Sequence, residues 1–227
     1  MKDLSKYDYE ERAAAQDRND YWGQVRRTIN GKPVSDDQIE LICDAIRQGL
    51  DLSPEDKLID IGCGNGALTH RFRGEVSKVL GVDRSEYLIS VANENFHDGN
   101  IEYVVGDALS VLRSVEDIYQ YNKALLYGVF SFFDDVLALS FFEHISNESN
   151  IKKIFIGNVR DRALAERFYK RPVSDSELDD NKSSMGKWRT REYFIDMANR
   201  FKWKVEFSKM PKEFYAHEYY FDVKMYR

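Results

Sequence analysis

An α/β fold, with a mostly parallel sheet covered by helices on both faces, is what this sequence predicts, and three observations predict it. From residue 57 onward, short apolar runs alternate with longer amphipathic stretches at the spacing of strand–helix units. The first apolar run, Leu58-Ile59-Asp60-Ile61, leads straight into glycines at alternate positions, Gly62, Gly64 and Gly66. Two β-rich runs, 202–209 and 218–226, close the chain. Right-handed crossovers follow from a parallel sheet of this kind.

Residues 1–52 read as a helical cap or lid and 53–227 as the main domain, forming one structural unit. Tyr7, Tyr9, Tyr21 and Trp22 make the first 34 residues polar and aromatic without a clean period. Short helices over 8–17 and 21–28 are expected, then a turn at Asn30-Gly31-Lys32-Pro33. Ser35-Asp36-Asp37-Gln38 has the S-x-x-Q form of a capping box. Ile39, Ile42, Ala45 and Ile46 follow at helical spacing, which predicts an amphipathic helix over 36–50.

Ser53-Pro54-Glu55-Asp56 turns the chain into a strand at 57–61 and a helix at 67–73. A strand at 79–83 comes next, and Ser85 caps a helix to about residue 96. The alternation continues with a strand at 101–105, a helix over 109–115, a strand at 124–127 and a helix over 134–146. A strand at 154–157 and a helix over 161–168 complete it. The stretch 170–188 is charged and aperiodic, and reads as an insertion at the rim of the sheet. Thr190 caps a last helix, to residue 200.

With 227 residues and 43% apolar content, the chain can build one domain with a lid. A net charge of −6 gives no basic footprint, so no nucleic-acid partner is expected. No apolar run approaches about 18 residues, so no membrane span is expected. The N-terminus lacks the apolar segment of a signal peptide. Cys43 and Cys63 cannot build a disulfide framework, and a cytoplasmic location is expected.

The glycine turn carries the first chemical signal. Glycines at a strand end permit positive φ and let a ligand approach bare backbone, and a following helix start offers unpaired N–H groups. A nicotinamide fingerprint would read G-x-G-x-x-G. Here the spacing is G-x-G-x-G, and an acid, Asp60, lies inside the strand before it. The second strand ends in Asp83, whose carboxylate suits two ribose hydroxyls, and the third ends Gly106-Asp107-Ala108.

Together, Asp60-Ile61-Gly62-Cys63-Gly64-Asn65-Gly66, Gly81-Val82-Asp83 and Gly106-Asp107-Ala108 resemble the first three motifs of class I S-adenosylmethionine-dependent methyltransferases. The resemblance covers roughly 55–226. It implies a seven-stranded sheet whose last strand runs antiparallel beside the fifth. It implies S-adenosylmethionine as cofactor, with the glycine turn at the methionine part, Asp83 at the ribose and Asp107 at the adenine. Asp60, Gly62, Cys63, Gly64, Asn65, Gly66, Asp83, Arg84, Asp107, Ala108 and Tyr127 are the cofactor residues expected on that basis.

The acceptor side is read from topology. Ligands of open α/β sheets bind at the carboxyl ends of the parallel strands, and the connection at 210–218 lies on that rim. His217 is therefore the candidate base for a hydroxyl nucleophile. Tyr21, Trp22, Gln24 and Arg26 are candidate lid contacts, and Phe130, Arg160 and Tyr215 candidate substrate contacts. Arg160, Arg162, Lys170 and Arg171 follow the fifth strand and suit a phosphate or carboxylate, or are simply surface charge. Tyr127-Gly128-Val129-Phe130 lacks the [DNS]-P-P-[YFW] form of amino-group methylation. Asp134, Asp135, Asn158 and Asp161 match no trusted metal pattern, so no metal is expected.

The aromatic tail and lid are also similar to small-molecule methyltransferases of bacterial surface-polysaccharide gene clusters. The expected activity is methyl transfer to a hydroxyl of a small polar metabolite, such as a sugar or sugar derivative. A macromolecular RNA or protein methyltransferase, and a non-catalytic S-adenosylmethionine-binding module, are the alternatives.

Overall fold

A computed structural model describes residues 9–114 and 118–227. Two short helices open it, α1 (Tyr9–Ala14) and α2 (Tyr21–Gln24), followed by a small antiparallel hairpin of β1 (Thr28–Ile29) and β2 (Lys32–Pro33). The expected helix over 21–28 stops after one turn because Arg26 enters the left-handed region at φ 60°. The expected 8–17 helix ends at Ala14, and residue 8 lies outside the described residues.

Helix α3 (Asp36–Leu50) forms as its period requires, but not by the expected capping box. Ser35 makes no side-chain cap bond. Gln38 is drawn away instead: its Nε2 donates to the Glu213 carbonyl at 3.0 Å and its Oε1 accepts from the Tyr215 amide at 2.8 Å. The helix start is thus tied to the 210–218 connection.

The sheet then builds from β3 (Lys57–Ile61), β4 (Lys78–Asp83), β5 (Ile101–Val105), β6 (Lys123–Tyr127), β7 (Lys153–Arg160), β8 (Lys204–Ser208) and β9 (Tyr220–Tyr226). Their order is β5-β4-β3-β6-β7-β9-β8, and β9 runs antiparallel to both its neighbours. A register shift between Ile156 and Val159 marks an irregularity in β7 opposite β9. The helices between strands are α4 (Glu86–Asn95), α5 (Ala108–Ser114), α6 (Asp135–Glu148), α7 (Ala165–Tyr169), α8 (Asp175–Leu178) and α9 (Arg191–Phe201). Residue 115, expected to end α5, lies outside the described residues.

Three expectations change. Between β3 and β4 there is only a 3₁₀ turn, Thr69–Phe72, because Thr69 turns its hydroxyl inward to Asp60 at 2.6 Å. The expected helix over 161–168 is a 3₁₀ turn, Arg162–Leu164, followed by α7, with the Asp161 carboxylate accepting from the Ala163 amide. The 170–188 insertion contains α8, closed by a capping box of Ser174 and Glu177. Leu178 and Trp188 bury against Phe168, Tyr169, Val173 and Met185, giving the insertion its own small core.

Side-chain alternation divides the main core into two layers. Ile59, Leu80, Leu126, Ile156 and Val223 face a layer that includes Phe142 of α6 and Phe194 of α9. Leu58, Val79, Leu125 and Phe155 face the other, with Ile42 and Ile46 of α3. On that second face Phe155 fits so closely under α3 that a Cβ on Gly49 would lie 2.1 Å from its ring.

Candidate active site

β3 delivers the chain into a turn folded back on β4: the amides of Gly62 and Cys63 both donate to the Val82 carbonyl, at 2.7 and 3.0 Å. Gly64 adopts φ +59° and Gly66 φ +77°, a region closed to most side chains. Close packing compounds the restriction. A Cβ on Gly66 would lie 2.8 Å from the Tyr103 hydroxyl, and one on Gly64 would lie 2.8 Å from Val25 of the lid.

The lid is fastened to this turn. Asn65 donates through Nδ2 to the Tyr21 carbonyl and to Gln24 Oε1, both at 2.8 Å, and its Oδ1 accepts from the Ala67 amide. Gln24 is fully buried, and its Nε2 donates to the carbonyls of Asp17 and Arg18. Gln24, expected as a lid contact, has its amide saturated by these bonds within the protein. Asn65's side chain likewise serves the lid. Tyr21 points aside, its hydroxyl donating to Asn95 and its ring packed edge-on to Phe96.

Three carboxylates stand at the strand ends. Asp60 is 2% exposed, and burial pushes its carboxyl up to about 6, against the Thr69 hydroxyl bond and the charge of Arg27. Asp83 accepts from the Gly64 amide on Oδ2 and the Ser85 amide on Oδ1, both at 3.0 Å. Desolvation raises it, opposed by those amides and by the charge of exposed Arg84. Asp107 is exposed, and its Oδ1 accepts from the amides of Leu109 and Ser110; the Ser110 side chain, and then its amide, hold the carboxyl low. Ala108 is buried behind it at the start of α5. Burial pushes the Cys63 thiol well up, so it fills the turn as a neutral group.

This arrangement fits a nucleoside with an amino-acid tail. A carboxylate has about four acceptor positions, so Asp83, using two, keeps two for a pair of hydroxyls, while Asp107 Oδ2 is left for an amino group. Arg27 supplies a cation: its guanidinium lies over the rings of Trp22 and Tyr127, at 5.6 and 5.4 Å.

Residues 58–149 match the family model described as a methyltransferase domain. That stretch, 92 of the 227 residues, is similar to a methyltransferase domain. S-adenosylmethionine is the cofactor of such a domain, and the turn and carboxylates fit it. Curated relatives match in part. A probable ribosomal RNA small subunit methyltransferase A of Methanosarcina barkeri is 39% identical over 69 residues, 30% of this chain and 24% of its own length. A probable cobalt-precorrin-6B C(15)-methyltransferase (decarboxylating) of Methanococcus vannielii is 28% identical over 134 residues, 58% of this chain and 67% of its own length. The chain thus spans about a quarter of the ribosomal RNA methyltransferase it matches. Among solved structures, a DhpI-SAM-HEP complex shares the fold at TM-score 0.63 and 15% identity, over 96% of this chain and 94% of that one.

In the 210–218 connection, His217 is half-buried and its Nδ1 lies 3.0 Å from the Phe214 carbonyl. A carbonyl can only accept, so Nδ1 carries the proton and Nε2 keeps a lone pair in the neutral ring. Arg160 ends β7 in a buried position. Tyr215 is 38% exposed, beside Phe214. Phe130 is corrected: it is 1% exposed in the core against Phe133, Phe142 and Phe194, out of reach of a substrate. Asp134 caps α6, Asp135 binds Lys187 and Arg189, and Asp161 pairs with Arg191. Among the described residues no group of three or more His, Cys, Asp or Glu converges on a metal position, and no helix is long and apolar enough to cross a membrane.

Sequence reasoning missed Arg27 and Asp222. Asp222 is 2% exposed on β9; its Oδ1 accepts from the Asn158 amide at 2.8 Å, while Oδ2 has no partner. Burial pushes this carboxyl up to about 6. The Tyr127 hydroxyl, also buried without a partner, is pushed up by desolvation and then by the charge of Asp222. The signal for Asp222 is the one that marked Asp60, an acid inside an apolar strand run.

Proposed function

We propose that this chain methylates a hydroxyl of a small polar metabolite, with sugars and sugar derivatives as the first acceptors to screen. The observation that carries the reading is the closure of the carboxyl rim from two sides. Arg26 of the lid donates through Nη1 to the Ser184 carbonyl of the insertion at 2.6 Å, joining segments 158 residues apart. A rim roofed in this way suits a small acceptor held away from water.

The bound cofactor would supply an electrophilic methyl group. The chain's own residues would do the rest. Asp83 and Asp107 orient the nucleoside, Arg27 neutralises the tail carboxylate, and the Asn65–Gln24 bonds keep the lid down. His217 accepts the acceptor's hydroxyl proton at Nε2. Asp222 is the second candidate for that proton, through its unpartnered Oδ2.

The likeness to ribosomal RNA methyltransferases favours a second reading, an RNA acceptor. Both are tested together by incubating the protein with radiolabelled S-adenosylmethionine and separate pools of sugar nucleotides and sugar phosphates, RNA, and peptides. Label in the small-molecule pool supports the proposal. Label confined to RNA or peptide overturns it.

A further inference from the structure

The rim holds a buried cation with no ion-pair partner among the described residues. Arg160 is 8% exposed, and its Nε and Nη1 are buried without a hydrogen-bond partner. Its guanidinium lies over the Tyr220 ring, 5.8 Å from the centroid. The other buried cations among the described residues are neutralised. Lys123 lies 3.4 Å from Asp56 and donates to the Leu50 carbonyl, and Lys187 and Arg189 both bind Asp135. Truly unpaired buried charge is strongly disfavoured, so a protein that keeps one at a ligand rim is holding it for something that arrives.

Arg26 of the lid reaches across to the insertion, donating through Nη1 to the Ser184 carbonyl at 2.6 Å. It does so from a left-handed backbone conformation, φ 60°, which an arginine adopts only when its surroundings hold it. Trp188, 1% exposed, has an indole Nε1 without a partner, and the amide of the next residue, Arg189, donates to the Arg160 carbonyl at 3.0 Å. A buried guanidinium fork with two unpartnered N–H-bearing nitrogens is complementary to an oxyanion.

We propose that Arg160 binds an oxyanion carried by the methyl acceptor, a phosphate, phosphonate or carboxylate. The acceptor role rests on the methyltransferase reading above; the oxyanion site itself does not. β7 lies two strands from β3 in the sheet order, about 10 Å at ordinary strand spacing. That span places the reacting hydroxyl a few bonds from the anion, the scale of a sugar phosphate or a hydroxy acid.

The test titrates inorganic phosphate, and separately acetate, into the full chain by calorimetry at constant ionic strength in sodium chloride, with and without saturating S-adenosylhomocysteine. Wild type is expected to bind one anion, phosphate or acetate according to whether the site is built for a tetrahedral or a planar group. Arg160→Met should weaken that binding roughly thirtyfold or more, with affinity for S-adenosylhomocysteine changed by less than about twofold. Arg160→Lys should retain part of it. Absence of anion binding in wild type, or equal binding in Arg160→Met, overturns the proposal. Should the Met variant not fold, Lys and wild type decide: a wild-type Tm that neither anion raises above the chloride control overturns it. Phosphate binding without any S-adenosylhomocysteine binding would sink the methyltransferase reading and leave the oxyanion site standing.

Discussion

Asp60 and Asp222 are acids set inside strands, and both carry a carboxyl pushed up to about 6 by burial. The folded state therefore holds protons that the unfolded chain, with an ordinary carboxyl near 4, has already released. Between about pH 4 and pH 6 the folded form binds more protons, so stability is present in full below that window and is lost as pH rises through it. Asp222→Asn should remove one of the two contributions. Urea unfolding at pH 8 should show the variant more stable by about 1–3 kcal/mol, with a shallower fall from pH 4 to 6. An unchanged slope would mean that Asp222 ionises normally. For the proton acceptor, His217→Ala should lower kcat by about 10²–10⁴ and leave cofactor Kd nearly unaltered. Retained turnover would shift the role to Asp222, whose pH–rate limb would fall near 6. Asp60 was visible in the sequence because glycines follow it. Asp222 was hidden because its partner, the Asn158 amide, comes from an irregularity that only the β7–β9 pairing creates.

Elements that rest on a periodic pattern were legible, and those shaped by one side-chain bond were not. The α3 stripe and the strand ends at Asp83 and Asp107 followed from spacing alone. The capping box at Ser35 did not form because Gln38 found better partners 175 and 177 residues away. The missed capping box at Ser174 has the same kind of pattern, S-x-x-E, inside a stretch read as aperiodic. Two substitutions probe the elements that position the site. Gly49→Ala forces a methyl to within 2.1 Å of the Phe155 ring, and thermal unfolding should show a loss of about 1–3 kcal/mol from overpacking between α3 and the sheet. Gln24→Ala removes the acceptor that holds Asn65 and the donor to two lid carbonyls. Limited proteolysis should then cut the lid faster than in wild type, and equal rates would show that the lid is held elsewhere.

At the scale of the whole molecule, the sheet order and the cofactor half follow from local sequence, whereas the acceptor half is assembled from distant pieces. Arg26 and Ser184 meet only because residues 21–26 and 170–188 fold toward each other. No spacing rule reaches across 158 residues, so neither the closure nor the unpaired guanidinium was readable in advance. The fastening of residues 21–26 onto the glycine turn also sets a tempo. Gly64, Asn65 and Gly66 are buried and Asn65 is bonded to residues 21 and 24, so cofactor exchange is expected to wait on the release of that segment. Apparent affinity is then diminished by the fraction of time it is released, and the observed association rate becomes that of an opening motion. Stopped-flow mixing should show the rate levelling off as S-adenosylmethionine concentration rises, and weakening the Asn65–Gln24 bond should raise the plateau. A rate that climbs linearly to high concentration would mean that the turn is never closed long enough to matter.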